Sequence, residues 1–68
     1  MIREIRDYHS RMLIGTIEEE PNGDRTVRNL AGIILGQYVA DRDLTIDFYG
    51  RPLYIGDVTA ALLLQDQK

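Results

Sequence analysis

Apolar residues in this chain come in short runs, and the breaks between the runs hold Asx residues, glycine or proline. Leu44, Ile46 and Phe48 alternate with Thr45 and Asp47, the period-two pattern of a half-buried strand. Ile33 to Val39, dominated by Ile, Leu, Tyr and Val, predicts a second strand, joined to the first by the polar link Ala40-Asp41-Arg42-Asp43 of hairpin length. Arg11 to Glu19 predicts another, apolar at Met12, Leu13, Ile14 and Ile17 and leaving the core at Glu18, Glu19 and Glu20. Asp24 to Arg28 is mostly polar, with Thr26 and Val27 carrying the β propensity, which suits an edge or two partly wet faces. Pro52 to Ile55 is a last short strand whose proline stands at its start, where no central ladder bond is lost. Met1 to Arg6 is ambiguous, because Ile2 and Ile5 suit a helical turn whereas the repeat described next asks for a strand; it is read as a strand or a frayed arm.

The breaks share a composition. Asn29-Leu30-Ala31-Gly32 and Asp47-Phe48-Tyr49-Gly50 each place a short polar residue three positions before glycine, the preference of a type I turn. Asp7-Tyr8-His9-Ser10 is a third copy with serine in the glycine position. The units DYHSRMLIG, NLAGIILG and DFYGRPLYIG each run from an Asx corner through an apolar run to a closing glycine, at Gly15, Gly36 and Gly56. Their spacing is that of one hairpin each. Pro21-Asn22-Gly23 marks a further hairpin, with proline presetting the first turn position and Asn-Gly accepting the left-handed conformation.

Ile33-Ile34-Leu35 and Met12-Leu13-Ile14 are apolar on both parities, which a sheet with one face in water does not require. The expected cover is a C-terminal helix over 57–67, capped by Asp57, with Val58, Ala61, Leu62 and Gln65 on its contact stripe. Leu63 and Leu64 fall outside that stripe. A helix this short borrows its stability from packing, and its surplus leucines predict a second contact face.

At 68 residues the chain is one domain, residues 1–68, with 44% hydrophobic and 28% charged residues. One core of this size rarely supplies more than about 3–5 kcal/mol. Cysteine is absent, which removes disulfides, and a single histidine gives little to a structural metal, so self-association into a homodimer is the expected help. Near-equivalent hairpins, each replaceable by its copy from the other chain, make exchange between protomers cheap. Ile33, Leu35, Leu62, Leu63 and Leu64 are the expected interface. The lack of cysteine, of an apolar run of about 18 residues and of a hydrophobic leader in MIREIRD reads as a cytoplasmic protein with no membrane partner.

The net charge of -3 weighs against nucleic acid as the main partner. Arginine nevertheless concentrates in the first half, at Arg3, Arg6, Arg11, Arg25 and Arg28, which gives an alternative reading as a small nucleic-acid-associated or regulatory protein. Catalytic patterns are weak. Asp7, His9 and Ser10 sit in one turn, where sequence neighbours seldom make a triad. Asp41, Asp43 and Asp47 have calcium-loop spacing but lack the loop glycine and the closing glutamate. No phosphate-cradling glycine motif occurs. Phe48, Tyr49 and Tyr54 would suit base stacking if exposed beside Arg51, but core or interface packing is the expected role, because small sheets draw on aromatics for buried area. Neither an enzyme nor a cofactor is expected.

The Asp-x-x-Gly-Arg corner with its aliphatic run and glycine, together with the ending GDVTAALLL, resembles a group of short uncharacterised bacterial proteins with recurring hairpins of this kind and a leucine-rich C-terminal helical turn. The likeness runs from Asp7 to Leu64, and Asn29 and Ile33 of the second unit depart from the motif. The corner also resembles the YD-type repeats of large secreted proteins, although Ile46 stands before Asp47 where those have tyrosine. The resemblance implies compact hairpins and self-association by their exchange. The expected architecture is mainly β (α+β): an antiparallel meander of about five strands with one short C-terminal helix. The expected function is that of a non-enzymatic, self-associating protein-interaction module.

Overall fold

The computed structural model describes residues 1–66. Six strands follow in chain order: β1 (Ile2–Arg6), β2 (Leu13–Glu19), β3 (Arg25–Asn29), β4 (Ile34–Val39), β5 (Leu44–Asp47) and β6 (Pro52–Ile55). One helix, α1 (Thr59–Asp66), follows. The strands form a single antiparallel meander in sequence order, an open sheet with β1 and β6 at its edges. The expected meander is thus present, with the ambiguous segment Ile2–Arg6 as a sixth strand paired to β2.

The Asx corners form for the reason their composition gives. The Asn29 side chain accepts the N–H groups of Ala31 and Ile33 at 3.0 Å, and Asp47 accepts those of Tyr49 and Arg51 at 2.9 and 2.8 Å. Gly32 and Gly50 then donate to the backbone carbonyls of Asn29 and Asp47 from φ of +85°, where a side chain would be strained. At the first corner Asp7 accepts from His9 and Ser10, but the loop is one residue longer. Arg11, not Ser10, donates to the Asp7 carbonyl and takes the left-handed position, at φ 65°. The Pro21-Asn22-Gly23 turn follows the same plan, since Gly23 donates to Glu20 with φ +96°. Asn22 keeps a negative φ, contrary to expectation, because the left-handed residue of this turn is the third.

Each of the three hairpins that begin at an Asx corner contains a β-bulge. The register passes from Ile5–Gly15 to Arg6–Leu13, from Val27–Gly36 to Arg28–Ile34, and from Thr45–Tyr54 to Ile46–Pro52. Ile14, Leu35 and Leu53 are the extra residues. Ile14 joins Ile17, Val27, Leu62 and Leu63 in the core, Leu35 packs against that core, and Leu53 borders a recess beside Leu35 and Leu62. The two-faced apolar runs are thereby explained: the bulge swings one residue out of alternation and toward the helix. Gly15 and Gly36 follow their bulges directly. Tyr54, not Gly56, holds the corresponding place in the third unit, and Gly56 ends β6 with φ +97°.

Helix α1 lies over β2, β3 and β4. Asp57 accepts the Thr59 N–H at 3.2 Å and the Thr59 hydroxyl at 2.8 Å, and its other oxygen takes Arg25 at 2.6 Å, tying the helix entry to β3. The buried stripe is Thr59, Leu62 and Leu63, one position out of phase with the expected one, and Leu64 is exposed. The phase is set by glycine. Cδ2 of Leu63 sits where a Cβ on Gly15 would stand, and Cδ1 of Leu62 lies 2.7 Å from the Cβ place of Gly36. Two leucines thus drop into gaps that the sheet leaves open. Gln67, the last residue of the expected helix, lies outside the described residues.

Candidate functional site

In a meander the odd connections share one end of the sheet and the even ones the other. The three Asx corners, joining β1 to β2, β3 to β4 and β5 to β6, therefore stand in a row at one end. They carry exposed Tyr8, Met12, Leu30, Ile33, Phe48 and Tyr49. Arg11 lies 5.0 Å over the Tyr8 ring and Arg51 lies 5.4 Å over the Tyr49 ring. Tyr8 and His9 meet edge to face at 5.4 Å, as do Phe48 and Tyr49 at 5.5 Å. The rings are exposed rather than packed in the core, but of the three only Tyr49 has Arg51 over it: Tyr54 lies along β6, its hydroxyl accepting from Gln65 of α1.

The corner carboxylates are turned toward the backbone. N–H donation by Ser10, with its hydroxyl and the N–H of His9, holds Asp7 below its ordinary value of 3.8. Asp47 is lowered chiefly by the Arg51 N–H and further by the Arg51 guanidinium, whose Nε stands 2.8 Å from Oδ2. With Asp7 committed to N–H groups and Ser10 Oγ accepting from Met12, the residues that could suggest a triad hold up a turn instead. At the other end, Asp41 and Asp43 belong to the β4–β5 loop, and Tyr38 donates to Asp43 at 2.6 Å, which raises the Tyr38 hydroxyl above 10.0. Asp47 lies at the far end of β5 from these two.

The first-half arginines divide between the two ends of the sheet, Arg6, Arg11 and Arg28 toward the corners and Arg3 and Arg25 toward the opposite end. Arg25 pairs with Asp57 and Glu19, Arg6 with Glu4 and the Arg11 carbonyl, and Arg28 reaches the Gly32 carbonyl. Arg3 lies opposite Ile17, toward the other end of the sheet. Of the residues expected at an interface, Leu62 and Leu63 are consumed by the chain's own core and Leu35 packs against it, which leaves Ile33 and Leu64 exposed.

The two sheet edges differ. β1 carries Arg3, Glu4 and Arg6, charges that discourage strand addition. β6 reads Pro-Leu-Tyr-Ile, has no charge and is exposed along its whole length. Because α1 sits over β2 to β4, the helix-side recess next to β6, about 280 Å³ and lined by Leu35, Asp47, Leu53, Leu62 and Gln65, stays open. The sequence marked neither the free edge nor the shared end, since both follow from strand order. No helix among the described residues is long and apolar enough to cross a membrane. No protein-family model, curated protein or solved structure matches the chain.

Proposed function

We propose that this chain is a non-enzymatic, cytoplasmic protein-interaction module that pairs with a second copy of itself through the β6 edge. One observation carries the reading: β6 is an edge strand with no charged residue, exposed at every position, and Ile55 keeps 85% of its surface in solvent. Such an edge is a template for another strand, and its opposite number β1 is guarded by charge. A two-fold axis beside Tyr54 of β6 would run the strand antiparallel to its copy, setting Leu53 and Ile55 across from each other with no like charges apposed. Burying Leu or Ile is worth about 1.5–3 kcal/mol per side chain.

Edge addition is favoured over hairpin exchange. The three Asx corners are tight turns closed by backbone and side-chain hydrogen bonds, and opening one as a hinge would forfeit those bonds. Light scattering over a concentration series tests the proposal. The native chain reaches twice its 7.8 kDa mass, Ile55→Lys stays monomeric and Ile2→Lys on the β1 edge dimerises like the native chain. A native chain that remains at 7.8 kDa throughout overturns the proposal, as does equal weakening by the two lysines.

A further inference from the structure

We infer that the corner end of the sheet is a stacking surface for single-stranded nucleic acid, with its rings receiving bases and its arginines receiving phosphates. The rings are not needed by the fold. Tyr8 is 74% exposed, Phe48 63% and Tyr49 78%, and the corners that carry them are made by Asp7, Asp47 and the backbone. Strands lie about 4.8 Å apart, so neighbouring corners, two strands apart, stand roughly 10 Å from one another and the outer two roughly 19 Å. Aromatic faces thus flank the row at both ends, with Leu30 between them. Each outer corner also brings a guanidinium onto its ring, Arg11 on Tyr8 and Arg51 on Tyr49.

Charge is divided along the strands in the same sense. Arg6, Arg11, Arg28 and Arg51 belong to the corner end, where the acids of the corners are Asp7 and Asp47, turned toward backbone N–H groups. The opposite end holds Glu18, Glu19, Glu20, Asp24, Asp41, Asp43 and Asp57 against Arg3, Arg25, Arg42 and the N-terminal ammonium, an acidic balance still. An oligoanion is therefore steered to the corners despite a net charge of -3. Arg51 engages Asp47 through Nε and keeps 73% of its side chain exposed, so its outer fork can meet a phosphate. An acidic peptide would use the arginines but not the rings. A duplex would keep its bases stacked away from the rings, whereas a single strand uses both. The surface is separate from β6 and does not depend on pairing there.

The test is fluorescence anisotropy of the full chain with a labelled oligothymidylate, a duplex of equal length and a polyglutamate peptide as probes. The expected result is binding to the single strand that weakens steeply with salt and exceeds binding to either other probe. Tyr8→Ala and Tyr49→Ala should each weaken it about fivefold or more, while Arg42→Gln at the opposite end leaves it unchanged. Because these side chains are exposed, circular dichroism of the variants should match the native spectrum. No binding at low salt, equal binding of duplex or polyglutamate, or indifference to both tyrosine substitutions overturns the inference. Ile55→Lys, which breaks the proposed pairing, should leave oligonucleotide binding in place, so the two proposals fail separately.

Discussion

Replacing Gly15 by alanine attacks the joint between helix and sheet. The added Cβ would collide with the Arg28 carbonyl oxygen on β3 and with Cδ2 of Leu63 on α1. The carbonyl belongs to a strand held in register with β2, so the pairing of β2 with β3 is disturbed as well as the seat of the leucine. If the helix shifts slightly, the change is an overpacking event costing about 1–3 kcal/mol. If the helix lifts, the burial of Leu62 and Leu63 is lost, about 1.5–3 kcal/mol for each. A chain of this length has a total stability of roughly 3–10 kcal/mol at the usual value per residue. Gly15→Ala therefore removes a substantial share of it. Gly50→Ala is the comparison: the space around Gly50 is open and only its φ of +85° resists a side chain, for about 1–2 kcal/mol. Urea unfolding followed by circular dichroism measures both, and a lifted helix also lowers the slope with denaturant. Adding Leu63→Ala to Gly15→Ala should cost less than the sum of the single changes, because the truncated leucine no longer meets the new methyl. A Gly15→Ala variant as stable as the native chain, or strict additivity with Leu63→Ala, would mean that Leu63 is not seated against Gly15.

Thr45 is fully buried, donating to the Gly56 carbonyl at 2.6 Å and accepting from Val58 N–H at 3.1 Å, so Thr45→Val should lose about 1–3 kcal/mol in thermal unfolding while Thr45→Ser loses less. Asp47→Asn keeps an acceptor for the Tyr49 and Arg51 N–H groups but removes the charge. Because the folded carboxyl of Asp47 is depressed, its contribution is complete above the ordinary value of 3.8 and fades as pH falls through the lower folded value. The acid limb of the stability profile should therefore be shallower for Asp47→Asn than for the native chain; an unchanged limb would show that the charge of Asp47 does not matter. Leu64→Ala, on the exposed side of α1, should leave the unfolding midpoint in place, and a marked loss would mean that the helix stripe is not Thr59, Leu62 and Leu63.

Much of the fold is legible in the residues because turns act locally. Asp7, Asn29 and Asp47 bond to N–H groups two to four positions ahead, so a few letters contain the whole cause of each corner. The bulges are not legible. Ile14, Leu35 and Leu53 sit inside apolar runs, and nothing in a run of aliphatics marks which residue leaves the ladder. The helix phase is illegible for a related reason: Thr59 is polar but its hydroxyl is satisfied by Asp57, and Leu63 is drawn inward by the space at Gly15, two facts that no helical periodicity contains. The aromatic corners could be noticed one at a time. Their gathering on one side depends on the parity of connections in a six-stranded meander, which required the ambiguous segment Ile2–Arg6 to be a strand.

Pairing of β6 with its own copy would show in hydrogen exchange across a concentration series. The outward-facing amides of β6 should gain protection as concentration rises, while those on the outer side of β1 stay unchanged and Ile55→Lys abolishes the gain. Outward β6 amides that exchange freely at every concentration, or protection that grows on β1 instead, would contradict it.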